Sequence, residues 1–256
     1  MSRAPSGKQV LSRTGRVIGT GLGAAALLSL GYVGLTWLRY GKVRRGGNRD
    51  PLFDSVLPEY EVRELHQTPV AAPVDITFAA ARALDLQRSG IVRAIFRGRE
   101  LLMRAAPPRR MRPTEFLSEV LELGWRVLAE EPGRELVLGA VTQPWLANVH
   151  FRGLPPEEFT AFQEPGYAKI AWSIVAEPLG PRDSIFRTET RVATTDPVSR
   201  ARFRRYWSVV SPGILLIRRE TVKLVRRESE RRARAPTMEA RGNGAGVGGT
   251  SAVERG

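Results

Sequence analysis

Near the C-terminal end, Phe203, Trp207, Val210, Ile214, Ile217, Thr221 and Leu224 recur at spacings of 4, 3, 4, 3, 4 and 3. This is the apolar stripe of an amphipathic helix. The stripe keeps its phase across Pro212 and Gly213, which reads as one long helix kinked at the proline. A break into two helices is the competing reading, because an interior proline costs about 3 kcal/mol. In either case the stripe needs a broad apolar surface to cover it. Arg202, Arg204, Arg205, Arg219, Lys223 and Arg226 fall largely on the outward side.

Strands upstream can supply that surface. "YAKIAWSIVAEP" and "SIFRTETRVAT", joined by "LGPRD", alternate clearly: Ile170, Trp172 and Ile174 share one face, and Phe186, Thr188, Thr190 and Val192 share another. "WRVLAE" and "ELVLGAVTQ" flank "EPGR", a hairpin turn with Pro132 and Gly133. Before these come a strand from Tyr60, a helix in "PVDITFAAARALD" and a second helix from Ser89. A capped short helix then runs from Thr114 to Gly124, and "LPPEEFTAF" supplies one or two helical turns. The sum is an α+β chain with an antiparallel sheet and a long C-terminal helix.

The N-terminal region is different in kind. Val17 to Leu38 is an uncharged run of 22 residues, and about 20 apolar residues span a bilayer core. Gly19, Gly21 and Ala24 have the spacing of a dinucleotide-binding turn, but no strand precedes them and the first acidic residue after them is Asp50. The run therefore reads as a transmembrane helix, with Trp37 and Tyr40 at its interface end. A cleaved signal peptide is the rival, although its apolar region is usually only about 7–15 residues. Gly19 and Gly23 form a GxxxG pair, a route to a homodimer if two such helices meet; tolerated small residues are the plainer reading. Four basic residues precede the run and five follow it closely, a slight bias toward a cytoplasmic main domain on a single-pass cell-membrane protein. The expected organisation is a basic tail over 1–16, a span over 17–38, a linker over 39–57, a folded domain over 58–234 and a glycine-rich disordered tail over 235–256.

The net charge of +14 raises the question of nucleic acid. Its distribution answers against it. Residues 1–57 carry nine basic and two acidic side chains and residues 200–234 carry twelve and three, while the body between them is close to neutral. No helix-turn-helix, zinc-ligand spacing or aromatic RNA-binding signature is present. Two basic blocks flanking a neutral body suit anionic lipid headgroups, and a solvated charged face fits equally well. The expected membrane-surface residues are Arg44, Arg45, Arg204, Arg205, Arg219 and Lys223, with the basic segment Arg88 to Arg112 assisting. Cysteine is absent, so disulfides and cysteine-ligated metals are excluded.

The element order, with "EPGYAKIAWSIVAEPLG", "RTETRVATTDPVSRARFRRYWSVVSPG" and "LIRRE", resembles the START-like, or polyketide cyclase and SRPBCC, superfamily over residues 58–234. The resemblance implies a helix-grip fold: an antiparallel curved sheet around the long C-terminal helix, with an apolar cavity between them that holds a lipid, sterol, polyketide or hormone in many members. Trp172, Ile174, Phe186, Thr188, Phe203 and Trp207 are the candidates for the cavity wall. The plainer alternative is that all six fill a core.

Catalytic chemistry has little footing. Only His66 and His150 exist, neither in a metal-binding pair. Glu189 and Arg191 share one strand face, opposite Thr188 and Thr190, and read as a salt bridge on the solvent side in preference to a polar pair in the cavity. No nucleophile elbow, zinc-protease helix or P-loop occurs, and no catalytic residue, metal or cofactor is expected. The expected function is a membrane-anchored binding, carrier or sensor protein for a hydrophobic small molecule or lipid. A cyclase or dehydratase and a membrane scaffold with a filled core are the alternatives.

Overall fold

The two best-alternating strands form the middle of the sheet. In this computed structural model, which describes residues 31, 32, 34, 40, 42–45, 50–84 and 116–235, they are followed directly by one long helix. In chain order the elements are β1 (Arg44–Arg45), α1 (Pro51–Val56), β2 (Glu59–Tyr60), β3 (Val62–Val70), α2 (Val74–Arg82), α3 (Phe116–Glu122), β4 (Arg126–Glu131), β5 (Glu135–Thr142), β6 (Phe151–Arg152), α4 (Pro156–Ala161), β7 (Ala168–Pro178), β8 (Ser184–Thr194) and α5 (Pro197–Arg234). The main sheet runs β3-β8-β7-β5-β4, every pairing antiparallel, with β6 on β5; β1 and β2 pair separately.

Register decides which side chains face α5. Glu64, Thr190, Trp172 and Leu138 stand in one row across the sheet, and His66, Thr188, Ile174 and Leu136 in the next. Alternation sends Arg63, Glu189, Arg191, Ser173 and Val137 to the opposite face. Both faces are covered, which is why β5 is buried at every position. One cluster, including Phe78, Leu136, Trp172, Phe186, Val222 and Val225, joins α2 and the C-terminal half of α5 to the sheet. Another, including Tyr40, Val62, Val192, Phe203 and Trp207, lies under the N-terminal half of α5. A third, with Phe53, Val56, Leu128, Val137 and Phe159, fills the opposite face beneath α1 and α4.

Helix α5 continues through Pro212 as a single helix of 38 residues. Asp196 caps it, accepting from the backbone of Val198 and Ser199, and Pro197 occupies the first turn where its missing N–H costs nothing. The buried line differs from the expected stripe. It runs Phe203, Trp207, Ser211, Ile214, Arg218, Val222, Val225 and Ser229, with Ile214 and Arg218 half-buried and the rest buried. The mean step is thus nearer 3.67 than 3.5 residues, and the contact line drifts from Ile217 to Arg218 along the helix.

Several expectations need correction. The residues assigned to a linker, 39–57, include β1 and α1, and Phe53 is completely buried. Composition hid this because Asp50 and Asp54 look solvated in sequence, whereas both are paired to arginines of β8. Tyr40, placed at a membrane interface by sequence, is 7% exposed; its ring meets Trp207 edge-on and its hydroxyl donates to Glu64. Tyr32, within the expected span, shares a hydrogen bond with Ser211 of α5 at 2.9 Å. Among the described residues no helix is long and apolar enough to cross a membrane. The basic tail 1–16, most of the span 17–38, the helix from Ser89, the segment Arg88 to Arg112 and the tail from 236 lie outside the described residues.

Candidate functional site

The two rows of the sheet that face the middle of α5 are polar at their β3 and β8 ends. Glu64, Thr190, His66 and Thr188 form a two-by-two patch there. Above them Arg218 descends from α5, its guanidinium carbon 5.1 Å from the centroid of the Trp172 ring. These groups form a polar waist between two apolar clusters, so the interior is not one continuous apolar cavity.

The waist is under-satisfied. Trp172 Nε1 donates to Thr188 Oγ1 at 2.5 Å, and Thr188 in turn donates to the Ser173 carbonyl at 2.9 Å. Thr190 Oγ1, His66 Nδ1 and Trp207 Nε1 are buried without a hydrogen-bond partner among the described residues. Arg218 likewise makes no hydrogen bond or ion pair to a described residue; its contact is the Trp172 face. Burial lowers the Arg218 pKa to about 10, with the Glu64 charge working in the opposite direction. It therefore stays a cation at neutral pH. Burial, then the Arg218 and Arg219 charges, lowers the His66 pKa, so this imidazole is neutral at pH 7. A half-buried guanidinium with open donors is an arrangement that accepts an anion or a strong acceptor.

The six expected cavity residues all lie between sheet and helix, and all are at most 5% exposed. Trp172, Ile174 and Phe186 belong to one apolar cluster, Phe203 and Trp207 to the other, and Thr188 to the waist between them. Arg218 and Glu64 were missed. The signal for Arg218 was present as an 11-residue recurrence, Trp207, Arg218 and Ser229, but a 3.5-residue stripe through Ile217 concealed it. His150, the other histidine, is exposed, and its carbonyl accepts from Thr142.

Of the expected membrane-surface residues, Arg44, Arg45, Arg205, Arg219 and Lys223 are exposed, while Arg204 is half-buried. Arg45 pairs with Glu59 and Lys223 lies 3.7 Å from Glu220. The outer line of α5 reads Arg202, Arg205, Val209, Pro212, Leu216, Arg219, Lys223 and Arg226, exposed throughout. Val209 and Leu216 are 56% and 44% exposed.

The Glu189–Arg191 pair exists, Arg191 Nε to Glu189 Oε1 at 2.7 Å, but it is not on the solvent side. Glu189 is fully buried beneath α1, clasped also by both donors of Arg63 at 2.8 Å, and Arg191 reaches on to Asp54. The error has one cause: nothing in the strand itself says that α1 will cover this face.

A long C-terminal helix laid across an antiparallel sheet in the order β3-β8-β7-β5-β4 is the helix grip implied by the resemblance. The fold is an α+β helix grip. Solved structures similar to the chain include a conserved protein of Geobacillus kaustophilus, at 12% identity over 66% of this chain and 96% of that one, with a TM-score of 0.31. The ZhuI aromatase/cyclase of Streptomyces sp. R1128 follows at 15% identity, 68% and 96% coverage and a TM-score of 0.23. A START superfamily protein of Mycobacterium smegmatis has 12% identity, 67% and 96% coverage and a TM-score of 0.23. No protein-family model and no curated protein matches the chain. Likenesses this distant assign neither a ligand nor a reaction.

Proposed function

We propose that the chain binds, carries or senses a hydrophobic small molecule or lipid bearing an anionic or strongly accepting group, beside an anionic membrane surface. The observation that carries this reading is Arg218: a half-buried cation on the interior line of α5, stacked on Trp172 and without a hydrogen bond to any described residue. Buried polar groups in native proteins are nearly always paired, and a group left open beside apolar walls marks where a ligand supplies the missing partner. The ligand's acidic group would meet Arg218, Thr190 and His66, and its apolar part would lie along Trp172, Ile174 and Phe186.

The outer line of α5 supports the membrane half of the proposal. Exposed Val209, Pro212 and Leu216 at its centre, with arginines and a lysine at both ends, match a helix lying in a lipid interface. The full-length chain, purified in a neutral detergent, is the object to test by native mass spectrometry with lipid extraction. A co-purifying anionic hydrophobic molecule, lost in Arg218→Met, is the expected result. A ligand-free chain, or one whose ligand survives Arg218→Met unchanged, overturns the site. Binding to anionic vesicles that resists high salt, or that equals binding to neutral vesicles, overturns the electrostatic half.

The waist also supports a cyclase or dehydratase reading, because a neutral His66 beside Glu64 and Arg218 is a general base next to an anion-stabilising cation. Under this reading His66→Gln abolishes turnover of a poly-β-ketone while ligand retention is kept.

A further inference from the structure

Tyr40 precedes β1 in the chain, yet its side chain reaches into the polar waist. It lies two positions beyond the uncharged run that ends at Leu38 and is 7% exposed. Its ring meets that of Trp207 on α5 edge-on at 5.9 Å, and its hydroxyl donates to Glu64 Oε1 on β3. Glu64 is itself buried, in the row that crosses the sheet through Thr190 to Trp172.

The direction in which Glu64 is held matters to Arg218. The Arg218 guanidinium lies over Trp172, two strands away from Glu64, or about 10 Å between backbones. A glutamate and an arginine side chain together span that distance, and the Glu64 charge already acts on Arg218 by opposing the effect of burial on its pKa. Thr190 stands between them in the row, its buried hydroxyl without a hydrogen-bond partner among the described residues. Turned along the row, the Glu64 carboxylate would accept from both Thr190 and Arg218. It is turned to Tyr40 instead, which leaves open two donors that a neighbouring acceptor is placed to close.

We propose that Tyr40 is a positioning residue for the anion site: its hydroxyl holds Glu64 away from Arg218 and Thr190 and so keeps those donors available to a ligand's acidic group. This rests on the reading of Arg218 as the group that meets the ligand. A carboxylate free to turn toward Arg218 acts as an internal competitor, taking the same donors and repelling an incoming anion. Tyr40 thereby sets selectivity as well as affinity, since an uncharged ligand meets no such repulsion.

Melting temperatures of the delipidated full-length chain in neutral detergent test the clamp without any ligand. Arg218→Met is expected to raise the melting temperature in the wild-type background, where the guanidinium has no hydrogen-bond partner among the described residues. Beside Tyr40→Phe, which keeps the ring packed on Trp207 and removes only the hydroxyl, it should lower it, because Glu64 is then released to pair with Arg218. Adding Glu64→Gln to Tyr40→Phe should restore the rise. A change of the same sign in both backgrounds overturns the proposal, as does a fall in the wild-type background, which needs no change at Tyr40. A dansyl-labelled undecanoate, with its methyl ester as the uncharged control, reads the site itself. Tyr40→Phe is expected to weaken the acid about tenfold and the ester by less than about twofold, and the added Glu64→Gln to return the acid to its wild-type affinity. Equal loss of acid and ester in Tyr40→Phe also overturns the proposal, because damage to packing alone would produce it. A wild-type chain with no preference for the acid overturns the anion reading of the waist, and the melting temperatures then still decide what Tyr40 does to Glu64.

Discussion

Glu189 shows how strongly one residue's role depends on what covers it. Burial alone would raise its carboxyl pKa, but hydrogen bonds from Arg63 and Arg191 outweigh that and hold it below the usual range. Glu189→Gln leaves two arginines facing a neutral amide in a dry layer, and breaking one partner of a buried pair typically costs about 3–5 kcal/mol. We expect a loss of that size at neutral pH by chemical denaturation. Because the folded pKa is depressed, the stability Glu189 contributes is complete above about pH 5 and is lost as the pH falls through the folded value. The variant should therefore show a flatter acid limb than the wild type. Arg218 presents the opposite case: its guanidinium is half-buried and unpaired among the described residues, so Arg218→Met should raise the melting temperature of ligand-free protein. A fall in melting temperature would mean that Arg218 is held by the protein itself and is not waiting for a ligand. Neither behaviour is legible from strand alternation or helical spacing, which place Glu189 and Arg191 on one face without saying what lies over it.

At the scale of an element, α5 was the most legible part of the chain and also the source of the main site error. "TDP" announces the start, since Asp196 caps and Pro197 sits in the first turn, and the apolar periodicity carries the helix past Pro212. The cap is unusually well used: Asp196 accepts from the backbone N–H groups of Val198, Ser199 and Gly166 and from the Ser199 hydroxyl. The Ser199 hydroxyl, with those backbone donors, lowers the Asp196 pKa. Asp196→Ala is expected to cost about 1 kcal/mol, and somewhat more because the Gly166 tie to the β7 entrance is lost with it. Equilibrium unfolding measures the loss, and a cost near zero would show that packing alone starts the helix. Phase was harder to read than extent. A step of 3.5 and one of 3.67 differ by one residue only after several turns, yet that one residue exchanges Ile217 for Arg218 and a filled apolar seam for a polar waist.

The molecule as a whole is a sheet with both faces covered, and the cover on the second face comes from a segment that composition marks as a linker. Phe53, Val56 and Leu57 are nearly inaccessible, and burying each such side chain contributes about 1.5–3 kcal/mol. A chain starting at residue 58 should therefore lose about 5 kcal/mol or more relative to one starting at residue 40, comparable to the whole stability of a small domain. It would also leave Arg187 and Arg191 without Asp50 and Asp54. Denaturant titration of the two fragments decides this, and equal midpoints would mean that α1 is only loosely docked. By itself the sequence determined the α+β class, the strand pairs, the hairpin at Gly133 and the single C-terminal helix. Those follow from periodicity, turn residues and caps, which act over a few neighbouring positions. Only the tertiary structure decided which sheet face α1 would bury and which side chain of α5 would meet Trp172. Each of these depends on contacts between residues far apart in the chain, where a shift of one position exchanges a buried side chain for an exposed one and no local pattern records the outcome.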